Sequence, residues 1–145
     1  MMKMHQYARI VVSLPLALAF FSCTASKPAV QTGVKVTDIA VGKSVAADKT
    51  IAEKTESFGP ADTFYVSVKT DGSGPSATLT ARWTYEDGQV VDESRQNIAP
   101  TGSAAVTEFH LSKLDGWPAG GYKVEVLLDG ASAGTRNFKV TSATS

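Results

Sequence analysis

Cys23 is the only cysteine of the 145-residue chain, and His5 and His110 are its only histidines. A Ser-His-Asp arrangement needs a histidine as base, and loss of an N-terminal segment carrying His5 leaves only His110. That residue alternates with Phe109 and Leu111 and falls on the polar side of the stretch. No Gly-x-Ser-x-Gly elbow presents a nucleophile. Zinc asks for three or four His, Cys or carboxylate ligands, which one histidine and a modified cysteine do not easily supply. Calcium asks only for loop carboxylates, and Asp71, Asp87, Asp115 and Asp129 all sit in expected loops. Each precedes a glycine, which is ordinary turn chemistry. Glu86 with Asp87, or Asp92 with Glu93, offers a carboxylate pair for glycoside hydrolysis. Neighbours in a strand point to opposite faces, so neither pair converges on one bond. These residues indicate a protein that is not an enzyme and takes no metal or cofactor. A hydrolase using His110 is the enzymatic alternative.

Cys23 has a different use. It directly follows the apolar run Ile10 to Ser22, ahead of which stand Lys3, His5 and Arg9, and no acidic residue occurs before Asp38. A basic start, a short apolar core and a small residue before the break form the layout of a secretory signal peptide. The run is too short for a membrane span of roughly 20 apolar residues, and it contains Pro15. Phe20-Phe21-Ser22-Cys23 resembles a bacterial lipobox, with Phe20 where that family usually has leucine. The resemblance implies cleavage after residue 22 and a diacylglyceryl group on Cys23, which then anchors the chain in a membrane. Thr24 after the cysteine, rather than Asp, fits the same pattern's rule for onward transport to the outer membrane. A lone cysteine in an exported protein needs an explanation, and lipidation supplies one.

Removal of residues 1–22 leaves about 120 residues, enough for one domain with its own core. It also takes Lys3 and Arg9 from a formally neutral chain, leaving a mature charge of about −2. No run of like charges occurs, which argues against nucleic acid and against a polybasic membrane surface. Attachment to the bilayer then rests on acyl chains, each buried methylene contributing about 0.8 kcal/mol. Residues 23–33 are small and polar and read as a lipidated tether.

Residues 34–145 carry the elements that must position everything else. Val34 to Val41 reads as a first strand. Residues 42–60 lose the pattern, and a helical turn or a long loop with a short strand both fit them. Phe64, Val66 and Val68 then alternate with Tyr65, Ser67 and Lys69, the period of a half-buried strand. Asp71 to Pro75 breaks it. Leu79, Ala81, Trp83 and Tyr85 form the next inward row, and Asp87-Gly88 predicts a type I′ hairpin with positive φ at both central residues. The return strand Gln89 to Ile98 is polar, as at an edge. Ala105, Thr107, Phe109 and Leu111 form another row, followed by Tyr122, Val124, Val126 and Leu128. Asp129-Gly130 sets up a final hairpin whose strand runs from about Ala133 to Val140. About seven strands with no long helical period predict an all-β, antiparallel sandwich.

The pattern over residues 34–140 resembles the immunoglobulin-like superfamily. Trp83 falls on the third expected strand, with Val68 ahead of it and Val124 behind it at the positions of that family's two cysteines. Both are valine, so the disulfide is absent. Tyr122, two residues before Val124, has the placement of the family's tyrosine corner. The fibronectin-like and pilus-chaperone-like branches stay open. Trp117 to Val124, Asp129-Gly130 and the ending at Val140 also resemble C-terminal immunoglobulin-like domains of bacterial lipoproteins that carry no known activity.

The aromatics give the remaining lead. Phe64, Trp83, Tyr85, Phe109, Tyr122 and Phe138 fit inward rows. Tyr65 points the other way, and Trp117 lies in a loop rich in glycine and proline. Together they make a candidate binding surface, for stacking on a sugar or docking a protein. The competing reading places Trp117 as a cap over Tyr122. The resulting expectation is a non-catalytic module at the periplasmic face of the outer membrane, held by Cys23 and bound to another envelope protein. A carbohydrate-binding accessory domain is the alternative.

Overall fold

The computed structural model describes residues 33–143 and contains nine strands there, with no helix among the described residues. They are β1 (Gly33–Val45), β2 (Ile51–Lys54), β3 (Ser57–Phe58), β4 (Phe64–Ser73), β5 (Ala77–Tyr85), β6 (Gln89–Ile98), β7 (Ala105–Leu111), β8 (Gly120–Leu128) and β9 (Ala131–Val140). A four-stranded sheet has the order β2-β1-β4-β7, and a five-stranded sheet the order β3-β9-β8-β5-β6. The pairing is antiparallel except for β3, which runs parallel to β9.

The period-two rows fill the space between the sheets. Val66, Val68, Leu79, Ala81, Val124 and Val126 have no exposed surface, and Trp83 lies among them at 1% exposure. The expected inward rows of β4, β5 and β8 therefore form the core. Tyr85 is half-buried at the margin, with its ring 4.8 Å from that of Tyr122.

Residues 42–60 adopt neither the helical turn nor a long loop with one short strand. β1 continues past Val41 to Val45, turns through a tight loop, and returns as β2. Asp48 Oδ1 accepts from the Thr50 amide and hydroxyl, and Lys49 takes a positive φ of 68°. These bonds satisfy the turn locally. The hairpin is held on the outer side of the sheet, where the Ser67 hydroxyl donates to the Lys49 carbonyl at 2.8 Å. The chain then crosses to the other sheet as β3, because Phe58 is drawn into the core. Its ring meets Phe64 and Phe138 edge-on at 4.9 and 5.2 Å, an arrangement favoured by the ring quadrupoles. One N-terminal segment thus contributes to both sheets.

Two turn expectations fare differently. Asp129-Gly130 is a two-residue loop with φ of 49° and 84°, between the paired Leu128 and Ala131. Around Asp87-Gly88 the loop is longer. Tyr85 pairs with Gln89, so Glu86, Asp87 and Gly88 all lie in the loop, with positive φ at Glu86 and Gly88 but not at Asp87. The Glu86 side chain bridges to the Gly121 amide, and this tie draws Glu86 into the turn. β4 also runs beyond Thr70 to Ser73. Gly72, at φ 112°, passes so close to Gly33 that a side chain would collide with the Gly33 carbonyl.

The register fixes two opposite ends. Gly33, Ser73, Ala77 and Leu128 gather at one, and Phe64, Tyr85, Gly120 and Val140 at the other.

Candidate functional site

Cys23 and the expected signal segment 1–22 lie outside the described residues, as does the tether up to residue 32. The other candidates sit in three places.

Trp117 is at the end marked by Phe64 and Gly120. Its ring is only 5% exposed and stacks on Phe64 at 4.4 Å and 20°. Its indole N–H donates to the Asp62 carbonyl at 2.8 Å, and its amide to the Pro60 carbonyl at 2.8 Å. The expectation of an exposed stacking platform is therefore corrected. Trp117 closes the end of the core, 6.0 Å from Tyr122. An indole with both an apolar bed and a carbonyl for its N–H is more stable inside than in water. Tyr65 and Trp117 do not form one aromatic surface.

The same loop carries the tyrosine corner. The Tyr122 hydroxyl donates to the Pro118 carbonyl at 2.8 Å, and the Tyr85 hydroxyl to the neighbouring Ala119 carbonyl at 2.8 Å. Burial pushes the Tyr122 phenol up to about 12, helped by the adjacent Tyr85 and Glu86. Gly120, at φ 142°, lets the Tyr85 ring and the Glu86 carboxylate pass where a side chain would stand.

Tyr65 and His110 lie on the outer face of the four-stranded sheet. They are directly paired across β4 and β7, with ring centroids 5.6 Å apart. His110 is open to solvent, and its Nδ1 lies 2.7 Å from Glu108 Oε1, two residues along the same strand. Tyr65 is half-buried. A general base needs a nucleophile within about 2.6–3.2 Å and a third group to orient it. Here the histidine's partner is a carboxylate, on its own strand. A depression of about 330 Å³ nearby is lined by Asp38, Thr50, Ser67 and Lys69, beneath the β1–β2 hairpin.

Two of the four aspartates expected in loops bond backbone amides, and one of them, Asp71, lies within β4 rather than in a loop. Asp129 Oδ1 accepts from the Thr78 amide, and Asp71 Oδ1 from the Gly72 amide. No cluster of three or more metal-ligating side chains occurs among the described residues. Asp92 and Glu93 diverge as alternation requires: Asp92 accepts from Ser94, whereas Glu93 accepts from Arg82 and Arg95.

That last group belongs to a surface that the sequence pattern did not single out. On the outer face of the five-stranded sheet, Arg82 bridges Glu93 at 2.8 Å and Glu125 at 3.3 Å, and Arg95 reaches Glu93 at 2.6 Å. The hydrogen bond from Arg82, and then that from Arg95, hold the Glu93 carboxyl below the usual carboxylate range. Alternation along β5 pointed Arg82 outward. Its partners lie on β6 and β8, and Glu125 is 43 residues away, a separation that strand period does not reveal.

No protein-family model and no curated protein sequence matches the chain. Solved structures do. An immunoglobulin-like protein from Pseudomonas aeruginosa superposes with a TM-score of 0.50 at 16% identity, over 77% of this chain and 99% of that one. The fold is immunoglobulin-like. The C-terminal domain of Wzt aligns with a TM-score of 0.51 at 13% identity, over 79% of this chain and 76% of that one. The alkylpurine DNA glycosylase AlkC of Pseudomonas fluorescens, bound to DNA with an abasic-site analogue, aligns at 15% identity and TM-score 0.49. This chain spans 30% of that protein's length. At such identities the likeness extends to the immunoglobulin-like fold alone. Within it, Trp83 sits in the core with Val68 and Val124.

Proposed function

We propose that the protein is a non-catalytic binding or assembly module, lipid-anchored through Cys23 at the periplasmic face of a bacterial outer membrane. Its partner in this reading is another envelope protein. The observation that carries the non-catalytic half is the setting of His110, open on an outer sheet face and partnered by Glu108 of its own strand. The immunoglobulin-like sandwich supports the binding half, since it offers two broad outer faces on a rigid core. The anchor rests on the basic, apolar and small-residue pattern that ends at Cys23. With Trp117 in the core, sugar stacking would fall to Tyr65 alone, and the carbohydrate reading loses its support.

The test is affinity capture from an envelope extract, using the mature, Cys23-lipidated protein as bait. Enrichment of one envelope protein, over both a lipid-only control and a heat-unfolded bait, is the expected result. A hydrolytic activity of the purified protein that disappears in His110→Ala would overturn the proposal.

A further inference from the structure

β6 ends the five-stranded sheet, and among the described residues no strand lies on its side away from β5. Such an edge presents unpaired N–H and C=O groups to any strand that can match it. From Asp92 to Ile98 the ladder with β5 is regular, and the bulge at Val91 ends that regular stretch. We propose that this stretch pairs antiparallel with β6 of a second copy, about a two-fold axis at Ser94, so that two five-stranded sheets join edge to edge.

The register follows from side-chain chemistry. A two-fold axis perpendicular to the sheet keeps each face on its own side, so directly opposed residues must share a face. The axis must then pass through a residue and its own symmetry mate. Centred on Ser94, Glu93 of each copy opposes Arg95 of the other, and Asp92 opposes Gln96. Two opposite-charge pairs and two acid–amide pairs form at once, each a favourable cross-strand neighbour. Moving the axis to Glu93 or Arg95 sets like charges face to face. Moving it to Gln96 leaves Glu93 beyond the end of the ladder at Ile98.

Arg95 and Gln96 are available for this, whereas Glu93, 27% exposed, would exchange its own Arg95 for that of the second copy. Arg95 keeps 69% of its side chain exposed while touching Glu93 of its own strand. Gln96 donates one amide hydrogen to the Glu108 carbonyl of β7, leaving its second for a partner. Charges that discourage foreign strands thus select one register of self-pairing. The inference uses β6 alone and stands apart from the anchor and from the identity of any envelope partner.

The experiment is analytical ultracentrifugation of the full chain in detergent, for wild type, Glu93→Arg, Arg95→Glu and an equimolar mixture of the two variants. Wild type is expected to sediment as a monomer–dimer equilibrium. Each variant alone places like charges opposite each other and should associate roughly tenfold more weakly or worse. In the mixture every opposed pair is again Arg with Glu, so dimer should return, and damage to the Arg82 network cannot mimic that rescue. A second measurement is oxidative cross-linking of Ser94→Cys. Directly opposed Cα atoms stand about 4.5–5.5 Å apart, within disulfide reach, so this variant should form a covalent dimer in excess of wild type and of Gln89→Cys. A wild type that stays monomeric, a mixture without rescue, or Ser94→Cys that cross-links no better than Gln89→Cys would each overturn the proposal.

Discussion

Replacing Tyr122 with phenylalanine separates two effects that share one hydroxyl. At neutral pH the variant loses the bond to the Pro118 carbonyl, a net cost of about 1 kcal/mol. For a domain of about 110 residues that lowers Tm by roughly 4–6 °C. At alkaline pH the order changes. The folded phenol titrates at about 12, raised from 10.0 chiefly by burial and further by Tyr85 and Glu86. Because the folded pKa lies above the unfolded one, the neutral phenol's stabilisation is fully present below pH 10. It is lost as pH rises through about 12. Two pKa units correspond to about 2.7 kcal/mol of stability lost by wild type across that window, while the phenylalanine variant loses none of it. Subtracting the neutral-pH deficit, the two stability curves should cross at roughly pH 11. Urea melts followed by tryptophan fluorescence from pH 7 to pH 12, on both proteins, give the difference curve and cancel the titration of every other group. Parallel curves over the whole range would refute the claim that Tyr122 is held neutral by its surroundings.

Trp83→Ala removes a side chain at 1% exposure and should cost about 3–5 kcal/mol, read as loss of the cooperative melt or a fall in Tm of well over ten degrees. Gly72→Ala forces φ 112° on an alanine and drives its methyl toward the Gly33 carbonyl. A loss of at least about 1–3 kcal/mol is expected, with hydrogen exchange showing the start of β1 opened first. Cys23→Ala should shift the protein from the membrane to the soluble fraction, and the wild type should carry a diacylglyceryl mass on its first mature residue. An unmodified Cys23 in membrane-purified protein would contradict the anchor.

The strands were legible wherever one face is buried and the other wet. Phe64-Val66-Val68 and Tyr122-Val124-Val126 announce themselves because a one-residue slip would expose the whole row. Tyr122 could even be placed as a corner, since Gly120 and Gly121 stand just before it. Residues 42–60 were illegible for a physical reason. Their order comes from tertiary partners: Ser67 holding the Lys49 carbonyl, Phe58 inserted between rings from β4 and β9. Three buried positions, Gly42, Ile51 and Phe58, in a polar stretch make no period. Trp117 shows the same limit from the other side. A loop composition suggests exposure, whereas its burial depends on Phe64 and on carbonyls of Pro60 and Asp62, all more than fifty residues earlier.

The opposite placement of Gly33 and Val140 has a mechanical consequence. A chain held ahead of Gly33 and pulled beyond Val140 would feel tension along the length of the strands. β1 joins β4 through pairs running from Gly33–Ser73 to Gly42–Tyr65, and such a load falls on those rungs together. They resist it in shear, whereas the rungs of an unzipping hairpin break in succession. The crossing segment from β2 into β3 adds a second hold, because Phe58 would have to leave the core before the N-terminal segment could slide. A pull between the two ends is thus expected to shear β1 from β4 rather than peel it away rung by rung.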